Sequence, residues 1–464
     1  MNKVKPIGRG VFGVFVAGLL MLRSAAQGAV TLPALFSNNA VLQRDMPVPI
    51  WGTAAPNEQV TVEFSNQKKV ATADTQGKWK VTLEPMAASV EPRVMTITPG
   101  NLQLTNVLVG EVWLCSGQSN MERQLGPRKG QQLIYDYERE KSTANYPLIR
   151  QFSVGAVKRG EGVVGKWAVC TPESVVDFSA VGYFFGRDLQ ASLKVPVALI
   201  LSAVGGTPAE AWISTNAFAA LPDSASYVSS GRNQRKSIPG SLYSGLIAPL
   251  QPYAIRGVIW YQGEANNGRA KDYQRLLSAL IQDWRQAWEI GEFPFLFVQI
   301  APHEKMSPEL REAQLKTWQS VPRTAMVVVT DWGDAKDIHP THKQPVGARL
   351  ALAARAIAYG EKLEYSGPIY AAMKVNGNAA VLSFTHCGSG LVSKGGGLKG
   401  FAVAGHDGKF VKAAAIIKSE TVEVASVDVA KPVSVRYGWT NVPDVNLFNR
   451  EGLPASPFRT DDPR

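Results

Sequence analysis

Ser119, His339 and Asp337 have the residue types of a nucleophile, a base and the acid that orients it. A serine hydroxyl attacks well only when a neighbour takes its proton, and imidazole, which titrates near neutrality, suits that work. A carboxylate two residues before the histidine can hold the second ring nitrogen if the loop bends, and Pro340 biases His339 towards an extended backbone. Asp331, Asp334 and His342 stand on the same stretch and compete for these roles. Two further clusters carry donors. Gly205-Gly206 leaves backbone N–H groups uncovered, and Gln262 and Asn266 carry side-chain amides; these are the donor types that hold negative charge developing on an attacked carbonyl oxygen. Glu264 can orient a neighbour, and Trp212, Tyr261 and Trp332 can stack on a ring. The chemistry these types add up to is covalent acyl transfer. Taken singly, each has a plainer reading: a helix cap for the serine, a turn for the glycines, a surface loop for Asp337 and His339, and core packing for the aromatics.

What brings such scattered residues together is the apolar run before each cluster. Val112–Cys115 leads into Gly117-Gln118-Ser119-Asn120-Met121, Val197–Val204 into Gly205-Gly206-Thr207, Gly257–Tyr261 into Gln262-Gly263-Glu264, and Ala325–Thr330 into the stretch that ends Asp337-Ile338-His339-Pro340. Phe295–Ile300 is a fifth run, and continuous apolar strands of this kind are covered on both faces. Between them Tyr273, Leu276, Leu277, Leu280, Ile281, Trp284 and Trp288 recur at helical spacing, and Ser307-Pro308-Glu309 marks a helix start. Alternating strands and helices predict a doubly wound α/β domain over 110–360, with ligands outside the carboxyl ends of its strands. The stretch 29–109 alternates apolar and polar residues between turns and reads as a small β-sandwich. The stretch 361–464 returns to short strands and glycine turns, a β-rich region.

At 464 residues the chain has length for two to four domains by the rule of about 100 to 200 residues each. Lys3, Lys5 and Arg9 precede an apolar stretch from Val11 to Leu22, and small residues follow, which is the plan of a secretory signal over 1–28. That stretch is shorter than the roughly 20 residues of a membrane span, so no span is expected in the mature chain. The net charge of +11 falls to +7 without the leader cations Lys3, Lys5, Arg9 and Arg23. No basic cluster interleaved with aromatics marks a nucleic-acid face. Cys115, Cys170 and Cys387 allow one disulfide at most, and five histidines show no metal-ligand spacing, so neither metal nor cofactor is expected.

The four clusters, as Gly117-Gln118-Ser119-Asn120-Met121, Gly205-Gly206-Thr207-Pro208-Ala209-Glu210-Ala211-Trp212, Trp260-Tyr261-Gln262-Gly263-Glu264-Ala265-Asn266 and Asp337-Ile338-His339-Pro340, resemble the blocks of the sialate O-acetylesterase family, a branch of the SGNH hydrolases. The likeness extends to the block from Val41-Leu42-Gln43-Arg44 to Ile50-Trp51-Gly52 near the start and the block from Glu451-Gly452-Leu453-Pro454 to Arg459-Thr460-Asp461 at the end, covering essentially the whole mature chain. It implies a flavodoxin-like SGNH domain, three layers with a parallel sheet, and accessory β-sandwich regions on both sides. It also implies metal-free hydrolysis of acetyl esters on an acetylated carbohydrate. By position Ser119 is then the nucleophile, His339 the base and Asp337 its acid, with Gly206 and Gln262 or Asn266 beside the Ser119 N–H as oxyanion donors. Trp212 and Glu264 are candidates for binding the substrate. Many relatives place the acid three residues before the histidine, where this chain has Lys336. The expected protein is a secreted or periplasmic esterase; the rival readings are an esterase of xylan or pectin type and an inactive carbohydrate-binding protein on the same scaffold.

Overall fold

The computed structural model describes residues 1–3, 29–155, 162–222, 224 and 237–461. All but the first three residues of the expected leader lie outside them.

Five parallel strands form the centre: β1 (Leu102–Gly117), β2 (Val197–Ala203), β3 (Gly257–Tyr261), β4 (Phe295–Val298) and β5 (Thr324–Val327). Their order across the sheet is 2-1-3-4-5. Strand Tyr146–Ser153 pairs parallel to β2 on its outer edge, and Trp167–Cys170 adds an antiparallel rim. Strand side chains alternate between two cores, as a pleat with a period of two requires. Val112, Leu114, Ala198, Ile200, Val258, Trp260, Phe295 and Phe297 face the same core as α3 (Ala270–Trp288) and α4 (Pro308–Ser320). Trp113, Cys115, Leu199, Ile259, Tyr261 and Leu296 face α2 (Ala180–Leu193) and α5 (Gln344–Tyr359) on the other side. The apolar runs are unbroken because each strand has no wet face. The periodic stripe from Tyr273 to Trp288 is fully realised on α3, where Leu276, Leu277, Leu280, Ile281 and Trp284 are all buried.

One strand joins the N-terminal region to this sheet. The first half of β1 pairs antiparallel with Ser89–Thr98 and parallel with Val41–Gln43, and its second half lies between β2 and β3, so no linker interrupts the chain at 109/110. Glu111, fully buried at the changeover, accepts from Arg44, from Arg256 Nε at 2.9 Å and from Gln43 Nε2 at 3.1 Å. Burial alone would raise this carboxyl, but Arg256 and Arg44 hold it below the ordinary carboxylate range. Beyond residue 360, two four-stranded antiparallel sheets share a core of their own that includes Leu382, Val422, Val424, Val403, Val435 and Tyr437. That region is clamped to α4 by Glu312, which takes two bonds from Arg459 at 2.9 Å, and by Arg311, which donates to the carbonyls of Thr440 and Asn441. Cys115 and Cys170 are buried free thiols and Cys387 is free as well. Among the described residues no group of histidine, cysteine and carboxylate side chains gathers to hold a metal, and no helix is long and apolar enough to cross a membrane.

Candidate active site

Strand register sets the level of the site. Gly117 lies opposite Ala203 on one side and Tyr261 on the other, so the chain leaves β1, β2 and β3 at one height. The next residues of each strand are the first three clusters, gathered at the crevice where the sheet order reverses, as ligand sites in open α/β sheets are. Gly117 itself, at φ +135°, packs so closely that a Cβ would collide with the Tyr261 carbonyl, which explains glycine there.

Ser119 opens the short helix α1 (Ser119–Glu122), which follows β1 directly. Gln118 fastens this turn to the third cluster: its N–H donates to the Tyr261 carbonyl at 3.0 Å, and its Oε1 accepts from Ala265 N at 3.2 Å. Gly205 lies against the serine, where a Cβ would stand 3.3 Å from Ser119 Cβ and 2.9 Å from Glu122 Oε2. Gly206 follows at φ +74° with open space where a side chain would be. Among the described residues, the backbone N–H groups of Ser119, Gly205 and Gly206 have no acceptor, which leaves them available to an incoming oxygen.

The histidine loop is built by its aspartates. Asp334 Oδ1 accepts from the N–H groups of Lys336 and Asp337, at 2.8 and 3.0 Å. Asp337 Oδ1 accepts from the His339 N–H at 2.8 Å and stands 3.7 Å from His339 Nδ1, while its Oδ2 meets Gln132 Nε2 at 3.5 Å. Asp331, a rival for the acid, is held by Arg349 through two bonds of 2.6 and 2.7 Å. His342, a rival for the base, is stacked between Trp332 and Tyr135 with centroid distances of 4.8 and 4.4 Å. Burial, with Lys343 adding to it, holds the His339 ring below its ordinary value of 6.5, against an opposing pull from Asp337. A ring so placed is neutral at neutral pH and can accept a proton.

Asn120, beside Ser119, ties these parts together. Its amide donates to Glu264 Oε1 at 2.6 Å and to the Ile338 carbonyl at 3.0 Å, and its Oδ1 accepts from Lys343 Nζ at 2.6 Å. The Ser119 helix, the third cluster and the histidine loop therefore meet at one buried side chain. Lys343 and Tyr135 were not among the sequence candidates. Lysine after a histidine loop carries no local signal, and Tyr135 lies far from every cluster in sequence.

Two expectations are corrected. Gln262 does not offer its amide to the cleft: it is fully buried, and both hydrogens are used on the Thr207 carbonyl at 3.2 Å and Asn266 Oδ1 at 2.7 Å, while its Oε1 accepts from Tyr273. Asn266, equally buried, donates to Glu210 Oε2 at 2.9 Å and accepts from Ala209 N at 2.9 Å. Both side chains hold the stretch that follows the glycine pair, Gln262 at Thr207 and Asn266 at Ala209 and Glu210. Trp212 does not meet a substrate directly, being fully buried, edge-on to Trp260 at 6.0 Å and bonded through Nε1 to Thr207 Oγ1 at 3.0 Å. Tyr261 is likewise buried. Glu264 is inside the Asn120 network, and burial raises its carboxyl above the ordinary range.

Residues 109–356 match the family model of the carbohydrate esterases described as sialic acid-specific acetylesterase. Human sialate O-acetylesterase is 32% identical over 97% of this chain and 96% of its own length. This chain belongs to that esterase family. The mouse sialate O-acetylesterase is 30% identical over 81% of the chain and 82% of its own length. A solved structure of a carbohydrate acetylesterase from Xanthomonas citri is 40% identical and superposes with a TM-score of 0.86, covering 93% of this chain and all of that one. As a member of the sialate O-acetylesterase family the protein is a carboxylic ester hydrolase acting on acetyl esters of sugars.

Proposed function

We propose that the chain is a serine esterase of the SGNH type that removes O-acetyl groups from sugars, O-acetylated sialic acid first among them. Ser119 Oγ attacks the acetyl carbonyl carbon while His339 takes its proton. The oxyanion is held by the N–H groups of Ser119 and Gly206. Collapse expels the sugar alcohol, which takes the proton from His339 and leaves acetyl-Ser119. Water then attacks that ester, giving its proton to His339, and acetate leaves with the serine restored. Asp337 orients the ring.

The observation that carries this reading is the bond from Asn120, the residue after Ser119, to the carbonyl of Ile338, the residue before His339, at 3.0 Å. It supports a working pair of nucleophile and base drawn from sequence positions more than two hundred residues apart. The strand order 2-1-3-4-5 supports a flavodoxin-like SGNH domain. The two-sheet C-terminal core supports a β-sandwich-like accessory region. The sialate O-acetylesterase relatives support acetylated sialic acid as substrate, and the exposed Tyr135, stacked on His342 three positions after His339, supports a ring platform beside the histidine loop. The cationic, apolar and small-residue order of positions 1–28 supports a secreted or periplasmic protein. A second reading, an acetylated glycan other than sialic acid, is favoured by the Xanthomonas citri relative, a carbohydrate acetylesterase.

The test pairs Ser119→Ala with acetate release from a panel of acetylated sugars and a chromogenic acetate. Loss of all turnover in a folded Ser119→Ala protein is expected, with acetylated sialic acid the best substrate of the panel. Turnover near the wild-type rate in that variant would remove Ser119 from the chemistry, and preference for acetylated xylan would select the second reading.

A further inference from the structure

Lys343 is buried to 1% exposure directly before α5, and the reaction above makes no use of it. An isolated ammonium is costly to bury, and it persists only where specific partners hold it. Here they are Asn120 Oδ1 at 2.6 Å and the face of Tyr261 at 5.4 Å from the ring centroid. The Asn120 amide fits its surroundings in one orientation only. Its two hydrogens go to Glu264 Oε1 and the Ile338 carbonyl, both acceptors, so a flipped amide would set oxygen against oxygen at both places. Lys343 is the donor on the remaining side, and it makes the working orientation the stable one. Glu264 Oε2, buried and without a partner among the described residues, shows how little slack this knot has.

We propose that Lys343 is a positioning residue of the esterase: its ammonium latches the Asn120 amide in the orientation that fixes the Ser119 helix to the His339 loop. The proposal rests on the reading of Ser119 and His339 as nucleophile and base. It adds a second consequence, because the charge of Lys343 also acts on the His339 ring. The charged groups that bear on that ring are Lys343, Asp337, Arg128 and Arg123; Lys343, Arg128 and Arg123 disfavour the imidazolium and Asp337 favours it. Lys343 itself feels Glu264, Asp337 and Arg123, and burial pushes its ammonium down to about 7.

The test uses Lys343→Met and Asn120→Ala, singly and together, with a small chromogenic acetate. If Lys343 works through Asn120, each single variant loses about 10- to 100-fold in kcat with KM little changed, and the double variant loses no more than the worse single one, because coupled residues are not additive. Lys343→Met should also move the acidic limb of kcat/KM to higher pH, since one repelling charge has gone from His339, while Asn120→Ala keeps that charge and moves the limb less. A merely structural lysine would lower the amount of folded protein without moving the limb. Multiplying losses in the double variant, or Lys343→Met turning over within about threefold of wild type, overturns the proposal. Should Lys343→Met not fold, Asn120→Ala alone still decides: unchanged kcat in that variant refutes the latch. Ser119→Ala run alongside separates the two failures, since an active Ser119→Ala protein overturns the underlying reading, whereas an inactive one beside a fully active Lys343→Met protein overturns only the latch.

Discussion

Asp337 Oδ1 accepts the backbone N–H of His339 at 2.8 Å and stands 3.7 Å from Nδ1 of the same residue. One oxygen thus bends the loop and faces the ring, which is how an acid only two positions before its histidine comes to lie beside the imidazole. The gap to Nδ1 is longer than a hydrogen bond.

Asp337→Asn should keep the bend, because an amide oxygen still accepts the His339 N–H, but deprive the ring of its anionic partner. We expect kcat to fall by something on the order of 10⁴-fold, as in other triads. Asp334→Asn keeps an oxygen for the two N–H groups it caps, and its rates should stay within a few-fold of wild type. Asp331→Asn breaks a two-bond pair with Arg349 and should lower the melting temperature more than it slows turnover. A large kinetic loss from Asp334→Asn beside a small one from Asp337→Asn would transfer the role.

The base must be unprotonated to act. Because His339 is held below its ordinary value of 6.5, kcat/KM should rise with pH through an apparent pKa below 6.5 and already be near its plateau at pH 7. A pH–rate series on the chromogenic acetate measures this directly, and an acidic limb centred above 7 would contradict a depressed histidine. Incubation with EDTA should leave the rate unchanged.

Gly205→Ala inserts a methyl 2.9 Å from Glu122 Oε2 and 3.3 Å from Ser119 Cβ, so the Glu122 carboxylate must turn aside and Ser119 give by a few tenths of an ångström. Turnover should fall by about 10²-fold, the scale of losing one oxyanion donor, with little change in the unfolding midpoint. Full activity in that variant would show that the loop after β2 is not part of the working site.

Gln262→Ala removes a buried amide that satisfies Thr207, Asn266 and Tyr273. It should cost about 1–3 kcal/mol of stability by leaving buried polar groups unpaired, read as a lower midpoint in urea. Unchanged stability with a 10²- to 10³-fold loss of kcat would restore Gln262 as an oxyanion donor.

Tyr135 is 63% exposed on its stack with His342. Tyr135→Ala should raise KM for acetylated sugars several-fold and leave a small aliphatic ester such as ethyl acetate unaffected, since only a ring substrate can use an aromatic face. Equal effects on both substrates would count against a sugar platform.

Runs of apolar residues determined the strands, because a strand covered on both faces has no polar position to spare, and the spacing from Tyr273 to Trp288 determined α3 for the matching reason. The position of each cluster directly after its run is enough to make Ser119, Gly205-Gly206 and His339 neighbours, since the carboxyl ends of parallel strands share one edge. Tertiary structure decided the rest. Whether an amide is free or used depends on its bonding partners, and the partners of Gln262 come from Thr207, Asn266 and Tyr273, two of them outside its own cluster. Trp212 has the residue type of a sugar platform, and only its packing against Trp260 makes it core. Lys343 reads as an ordinary basic residue at a helix start; what gives it a role is the 2.6 Å approach of Asn120, 223 positions away in the chain. Periodicity is local and is written in the sequence, whereas the state of each polar group is set by atoms that only folding brings within reach.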